Sequence, residues 1–137
     1  MSCKSLIYVA TTAPSAVVAN GTLPLTTIVR RRGRDVNLSG NSIAITDIGS
    51  NYYRVAVTAT FTAPVAGVIA LALQQNGVSV TGATASTTVT TATTEVRSLS
   101  FTAIVRTFNG GTLDSLAVIN SGLAATFSNI AITVEKL

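Results

Sequence analysis

The sequence predicts an all-β protein, an antiparallel β-sandwich of about eight to ten strands. Three observations carry this. Apolar residues nowhere hold an i, i+3, i+4, i+7 spacing over three turns, so no helix is expected. Several segments alternate apolar and polar residues with period two, and Thr and Val, which suit pleated surfaces, are plentiful. Turn dipeptides punctuate these segments at near-regular spacing, the strongest being Asn76-Gly77.

Leu6–Ala10 opens the chain as a strand and the Pro14 segment turns it. Thr26–Arg31 follows Pro24, and Ser42–Thr46 sets Ile43 and Ile45 on one face after the turn signal Ser39-Gly40-Asn41. Tyr52–Phe61 is the clearest strand. Tyr53, Val55, Val57, Ala59 and Phe61 share one face; Tyr52, Arg54, Ala56, Thr58 and Thr60 share the other. It ends at Ala63-Pro64, because proline cannot continue a central ladder. Val65–Leu73 and Val78–Val80 then form a hairpin on Asn76-Gly77, whose residues accept the positive φ that a type I′ turn demands.

Arg97–Arg106 repeats the alternation, with Leu99, Phe101, Ala103 and Val105 inward and Ser98, Ser100, Thr102 and Ile104 outward. Asn109-Gly110-Gly111 turns the chain into Ser115–Ile119. Asn120-Ser121-Gly122 turns it into a last pair, Leu123–Phe127 and Ile130–Val134. The phase breaks between these two, which predicts a bulge or tight turn near Ser128-Asn129. Thr81–Thr94 is almost wholly Thr, Ala, Ser, Val and Gly. It reads either as a polar loop or low-complexity edge strand, or as an exposed ribbon packed along a neighbouring subunit.

Composition excludes most chemistry. The 137 residues form one domain, 1–137, able to bury roughly two-thirds of the unfolded surface. The chain has no His, and its five carboxylates stand at no motif spacing. Cys3 is the only cysteine, which leaves no internal disulfide or zinc cluster; an ordinary thiol is expected there. No activating motif surrounds any Ser. The expectation is a non-enzyme with no cofactor and no metal. The apolar run after Lys4 is too short for a signal peptide, and no stretch is long enough to span a membrane. The mature chain is therefore expected to begin at or next to Met1, with no membrane partner.

Only 10% of residues are charged, far below the usual quarter. A surface so sparsely charged is expected to be covered by copies of itself or by a partner. The outward residues Tyr52, Ala56, Thr58 and Thr60 of one strand and Ser98, Ser100, Thr102 and Ile104 of another are the candidate covered wall.

The order Gly49-Ser50-Asn51-Tyr52-Tyr53-Arg54-Val55, Ala63-Pro64 before Gly67, Leu73-Gln74-Gln75-Asn76-Gly77-Val78, and Val118-Ile119-Asn120-Ser121-Gly122 before the terminal Ile130–Leu137 resembles the compact tumour-necrosis-factor-like jelly roll. That family includes complement globular heads, heads of bacterial spore-surface proteins and small virion proteins of tailed phages. The resemblance covers residues 39–137 and, more loosely, the N-terminal third. It implies a jelly roll of about ten strands that assembles as a homotrimer, with the outward residues above at the trimer interface. Function in the family is structural or adhesive. No collagen-like stalk precedes the domain, which favours a bacteriophage virion component, a capsid decoration or a fibre or tail tip, at the virion surface. The alternatives are a receptor- or glycan-binding module and a bacterial cell-surface or spore-coat head. Tyr53 and the phenylalanines read as core, so Tyr52 is the aromatic left for a glycan.

Arg30, Arg31, Arg32 and Arg34 form the one charge run. The plain reading is a solvated loop. Docking on an acidic capsid or tail protein comes next, since the planar guanidinium engages carboxylates two-handed. Nucleic acid comes third, because no aromatic interleaves with the run and Asp35 follows it.

Overall fold

A computed structural model describes residues 4–47, 49–109 and 114–137. Cys3 and the Gly110-Gly111 part of the expected turn lie outside the described residues. The described chain has eleven strands and no helix: β1 (Leu6–Thr11), β2 (Ser15–Val17), β3 (Thr27–Arg32), β4 (Val36–Ser39), β5 (Ser42–Ile45), β6 (Gly49–Thr62), β7 (Gly67–Gln75), β8 (Val78–Val89), β9 (Arg97–Asn109), β10 (Asp114–Asn120) and β11 (Ala125–Lys136). They form two antiparallel sheets. One runs β3-β1-β11-β6-β9, with β2 also on β11; the other runs β4-β5-β10-β7-β8.

The core lies between the sheets, and the period-two alternation supplies it from both sides. Tyr53, Val55, Val57, Ala59 and Phe61 of β6 are all buried, as are Ile130, Ile132 and Val134 of β11. Across the sandwich stand Ile69, Leu71 and Leu73 of β7 with Leu116 and Val118 of β10. The Phe61 and Phe127 rings sit on paired residues, 5.4 Å apart and tilted by 54°, a geometry that aromatic quadrupoles favour.

The β7–β8 hairpin turns on Asn76 (φ 53°) and Gly77 (φ 82°), as a type I′ turn requires. Several expectations are corrected. Leu123–Phe127 and Ile130–Val134 are not two strands: residues 125–136 form one, and Ser128 is an extra residue between the pairs Phe127–Phe61 and Asn129–Thr60. The phase break is thus a bulge. The Thr/Ala segment is an edge strand as far as Val89, and it leaves the ladder before Thr94. Four residues of β8, 80–83, stand opposite Leu73 alone, with Gly82 at φ 81°. β2 and β4 had no expected counterpart; both are short, with little room for alternation to register.

Candidate interaction surface

β6 and β9 pair in register along their whole length, with Ala56 opposite Thr102, Thr58 opposite Ser100 and Thr60 opposite Ser98. The residues expected to form a covered wall are therefore brought together on the outer face of one sheet. β11 continues that wall from the other side of β6, setting Thr133 against Ala56 and Ala131 against Thr58. β1 extends it again, with Tyr8 against Thr133 and Ala10 against Ala131. These β1 and β11 residues were missed, although the outward phase of Ile130–Val134 carried the signal. The wall is small and uncharged at its centre. Tyr52 and Ile104 are its large exposed residues, at 51% and 56% exposure.

Charge surrounds one end of this wall. Glu135 lies between Leu6 and Arg54 in the ladder and accepts from Arg54 at 3.1 Å. Arg106 lies opposite Tyr52, its guanidinium 5.8 Å above that ring, and its Nε donates to Ser50 Oγ at 2.7 Å. Lys136 Nζ meets Asp47 Oδ2 at 2.7 Å. Followed through the ladder, Arg30, Arg31, Arg32, Arg54, Arg106, Glu135 and Lys136 all stand at the level of Ala56 or on the side where β6 begins. At the other end Arg97 pairs with Glu95. Its guanidinium, then the Thr90 hydroxyl, hold the Glu95 carboxyl down to about 2. The molecule is electrically lopsided.

The arginine run belongs to the charged end; Arg30 and Arg31 lie on the strand expected over Thr26–Arg31, Arg32 extends it, and the loop reading is corrected for these three. Arg30, Arg31 and Arg32 lie on β3, an edge strand that pairs only with β1 and is exposed along its length. Arg30 and Arg32 stand opposite Tyr8 and Leu6, on the outer face, whereas Arg31 stands opposite the buried Ile7. Arg31 reaches the other sheet instead, its Nε donating to the Val36 carbonyl at 2.9 Å. Arg32 Nε donates to the Lys4 carbonyl at 3.0 Å. Val29 is an extra residue between the pairs Val9–Ile28 and Tyr8–Arg30, and its carbonyl accepts from Arg30 at 2.8 Å. A bulge and three cations are also what keeps an exposed edge from pairing with another chain. Among the described residues, none of Arg30, Arg31, Arg32 and Arg34 pairs with a carboxylate. An aromatic does interleave after all, since Tyr8 neighbours Arg30 across the strands.

A cavity of about 460 Å³ opens at the same end, between the tip of the β7–β8 hairpin, Arg106 and Asp114. Sequence reasoning missed it. Asp114 is 38 residues from Asn76, and no local pattern announces that pairing.

No family model matches the chain, and no curated protein matches it. Solved structures do. Murine APRIL superposes with a TM-score of 0.77 at 15% identity, covering 98% of this chain and 100% of its own. The globular domain of zebrafish complement 1qA gives 0.66 at 12% identity, over 96% and 95%. The fold is the tumour-necrosis-factor-like jelly roll. The same jelly roll occurs in PRD1 vertex protein P5, with a TM-score of 0.62 at 15% identity over 100% of this chain and 99% of that one. Identities this low carry the fold and not the activity.

Proposed function

We propose that the chain, as one jelly-roll domain over residues 1–137, is a non-enzymatic structural protein of a bacteriophage particle. It assembles as a homotrimer, sits on the virion surface as a capsid decoration or a fibre or tail tip, and presents a surface outward. One observation carries the assembly: Ala56, Thr58, Thr60, Ser98, Ser100 and Thr102 lie in register on an outer sheet face almost free of charge. Left in water, that wall and its Tyr52 and Ile104 would be a large, weakly polar surface. Cyclic association covers it and closes, where an unclosed head-to-tail contact would propagate a filament. The likeness to a viral vertex protein over nearly the whole of both chains supports the particle assignment.

The lopsided charge supports a division of labour. The arginine edge on β3 docks on an acidic capsid or tail protein. Its guanidiniums are already oriented by the Val36, Lys4 and Val29 carbonyls, so less freedom is lost on engaging carboxylates. In a trimer the edge recurs three times, and weak contacts gain from multivalency.

Sedimentation equilibrium of the purified chain at micromolar concentration tests the assembly. A mass three times that of the chain is expected; a well-behaved monomer overturns it. Purified particles are expected to contain the protein in copy numbers divisible by three.

A further inference from the structure

The geometry points to the cavity beside the β7–β8 hairpin as a binding site for a neutral saccharide, a function separate from the trimer wall and the arginine edge. Asp114 lines this cavity, and only 7% of the residue is exposed. Its Oδ1 accepts from Asn76 Nδ2 at 2.8 Å and, more weakly, from Gln75 Nε2 at 3.5 Å. Its Oδ2 is buried and, among the described residues, accepts from nothing. An unpartnered buried carboxylate oxygen is costly in a folded protein, and such a group calls for a donor.

The surrounding residues define which donor. Asn76 is locked in place, because its Oδ1 accepts from the Ser115 amide at 2.8 Å while its Nδ2 holds Asp114. Gln75 commits Nε2 to the Arg106 carbonyl at 2.9 Å, which leaves Oε1 as an acceptor on the cavity wall. Ser79 adds a hydroxyl, and Arg106 adds a cation whose Nε is fixed on Ser50. Val78 and Val80 supply an apolar patch within the same lining. Carboxylate, amide and hydroxyl acceptors beside a guanidinium and two aliphatic side chains suit a pyranose. Its vicinal hydroxyls both donate and accept, and its C–H face is apolar. A metal ion fits poorly, since Asp114 is the one carboxylate of the described lining and no cluster of three acidic, His or Cys ligands exists among the described residues. A phosphate or other anion is repelled by Asp114. The volume lies within the roughly 300–1,000 Å³ usual for small-ligand sites.

Titration of the isotope-labelled full chain with methyl glucoside, methyl galactoside, N-acetylglucosamine and rhamnose, followed by amide NMR, tests the site. At least one sugar is expected to give saturable shifts in the side-chain amides of Gln75 and Asn76 and in the Ser79 N–H. Asp114→Asn is expected to weaken that binding by about tenfold or more. Because Asp114→Asn also loosens the hairpin, Ser79→Val provides the second variant, and it too is expected to lose affinity with the amide dispersion unchanged. The site is refuted if no sugar shifts these groups, if the shifts map elsewhere, if neither variant changes affinity, or if calcium or lysine amide moves the same signals in place of sugars. None of these outcomes depends on whether the chain belongs to a virion.

Discussion

The Tyr53 hydroxyl donates to Asp47 Oδ2 at 2.9 Å, and the same oxygen takes Lys136 Nζ at 2.7 Å. The Tyr53 ring is fully buried, so this knot ties the segment before β6 to the end of β11 over the rim of the core. Tyr53→Phe keeps the ring and removes the donor. It is expected to cost about 1.5–3 kcal/mol in chemical denaturation, the usual range for a hydrogen bond to a charged group.

The same knot sets an alkaline limit. Burial first, and then the Asp47 hydrogen bond, push the Tyr53 phenol well above its ordinary 10.0. The folded state therefore favours the protonated phenol, and its contribution is complete below pH 10.0 and lost as pH rises beyond it. Stability measured against pH is expected to fall more steeply above that point in the wild type than in Tyr53→Phe. Equal slopes would contradict the assignment.

Gly122 is fixed by proximity. A Cβ there would stand 2.6 Å from the Ala70 nitrogen and 2.7 Å from the Val68 oxygen, both backbone atoms that cannot rotate away. Gly122→Ala is expected to destabilise by about 1–3 kcal/mol, as overpacking does. Gly40 has a positive φ of 59° but open space around it, so Gly40→Ala is expected to cost about 1 kcal/mol or less. Thermal denaturation of the pair ranks them.

Glu95 organises the loop before β9. Its Oε1 accepts from the Thr90 hydroxyl at 2.8 Å and from the Thr91 amide at 3.3 Å. The carboxyl is held below its ordinary 4.5, so its support is present above that value and lost as pH falls towards about 2. Glu95→Gln is expected to speed Thr91 amide exchange at neutral pH while leaving global stability nearly unchanged, because the ion pair is solvent-screened.

Thr58 tests the wall. It is exposed on β6 between Ser100 and Ala131, so Thr58→Arg leaves the fold intact. In a trimer it would bury an unpaired cation, and sedimentation velocity is expected to show self-association weakened by roughly a hundredfold or more.

What the sequence by itself determined is the longer strands with one wet face and one dry face. β6 and β9 alternate without a slip for ten residues or more, and Asn76-Gly77 marks its turn because φ > 0 has few takers. The wall residues of β6 and β9 were legible for the same reason, since outward phase is the complement of inward phase. Strands exposed on both sides carry a weaker signature: Thr26–Arg31 reads as a strand while its arginine run reads equally as a solvated loop, and beyond Val80 the chain reads as a loop, an edge strand or a ribbon. Only the tertiary structure decided which strands lie side by side. It put Tyr8 against Arg30, Thr133 against Ala56, and Asp114 against Asn76. It also gathered scattered charges at one end. Ladder partners are chosen by how two sheets close over a shared core, and that choice is made between segments far apart in the chain.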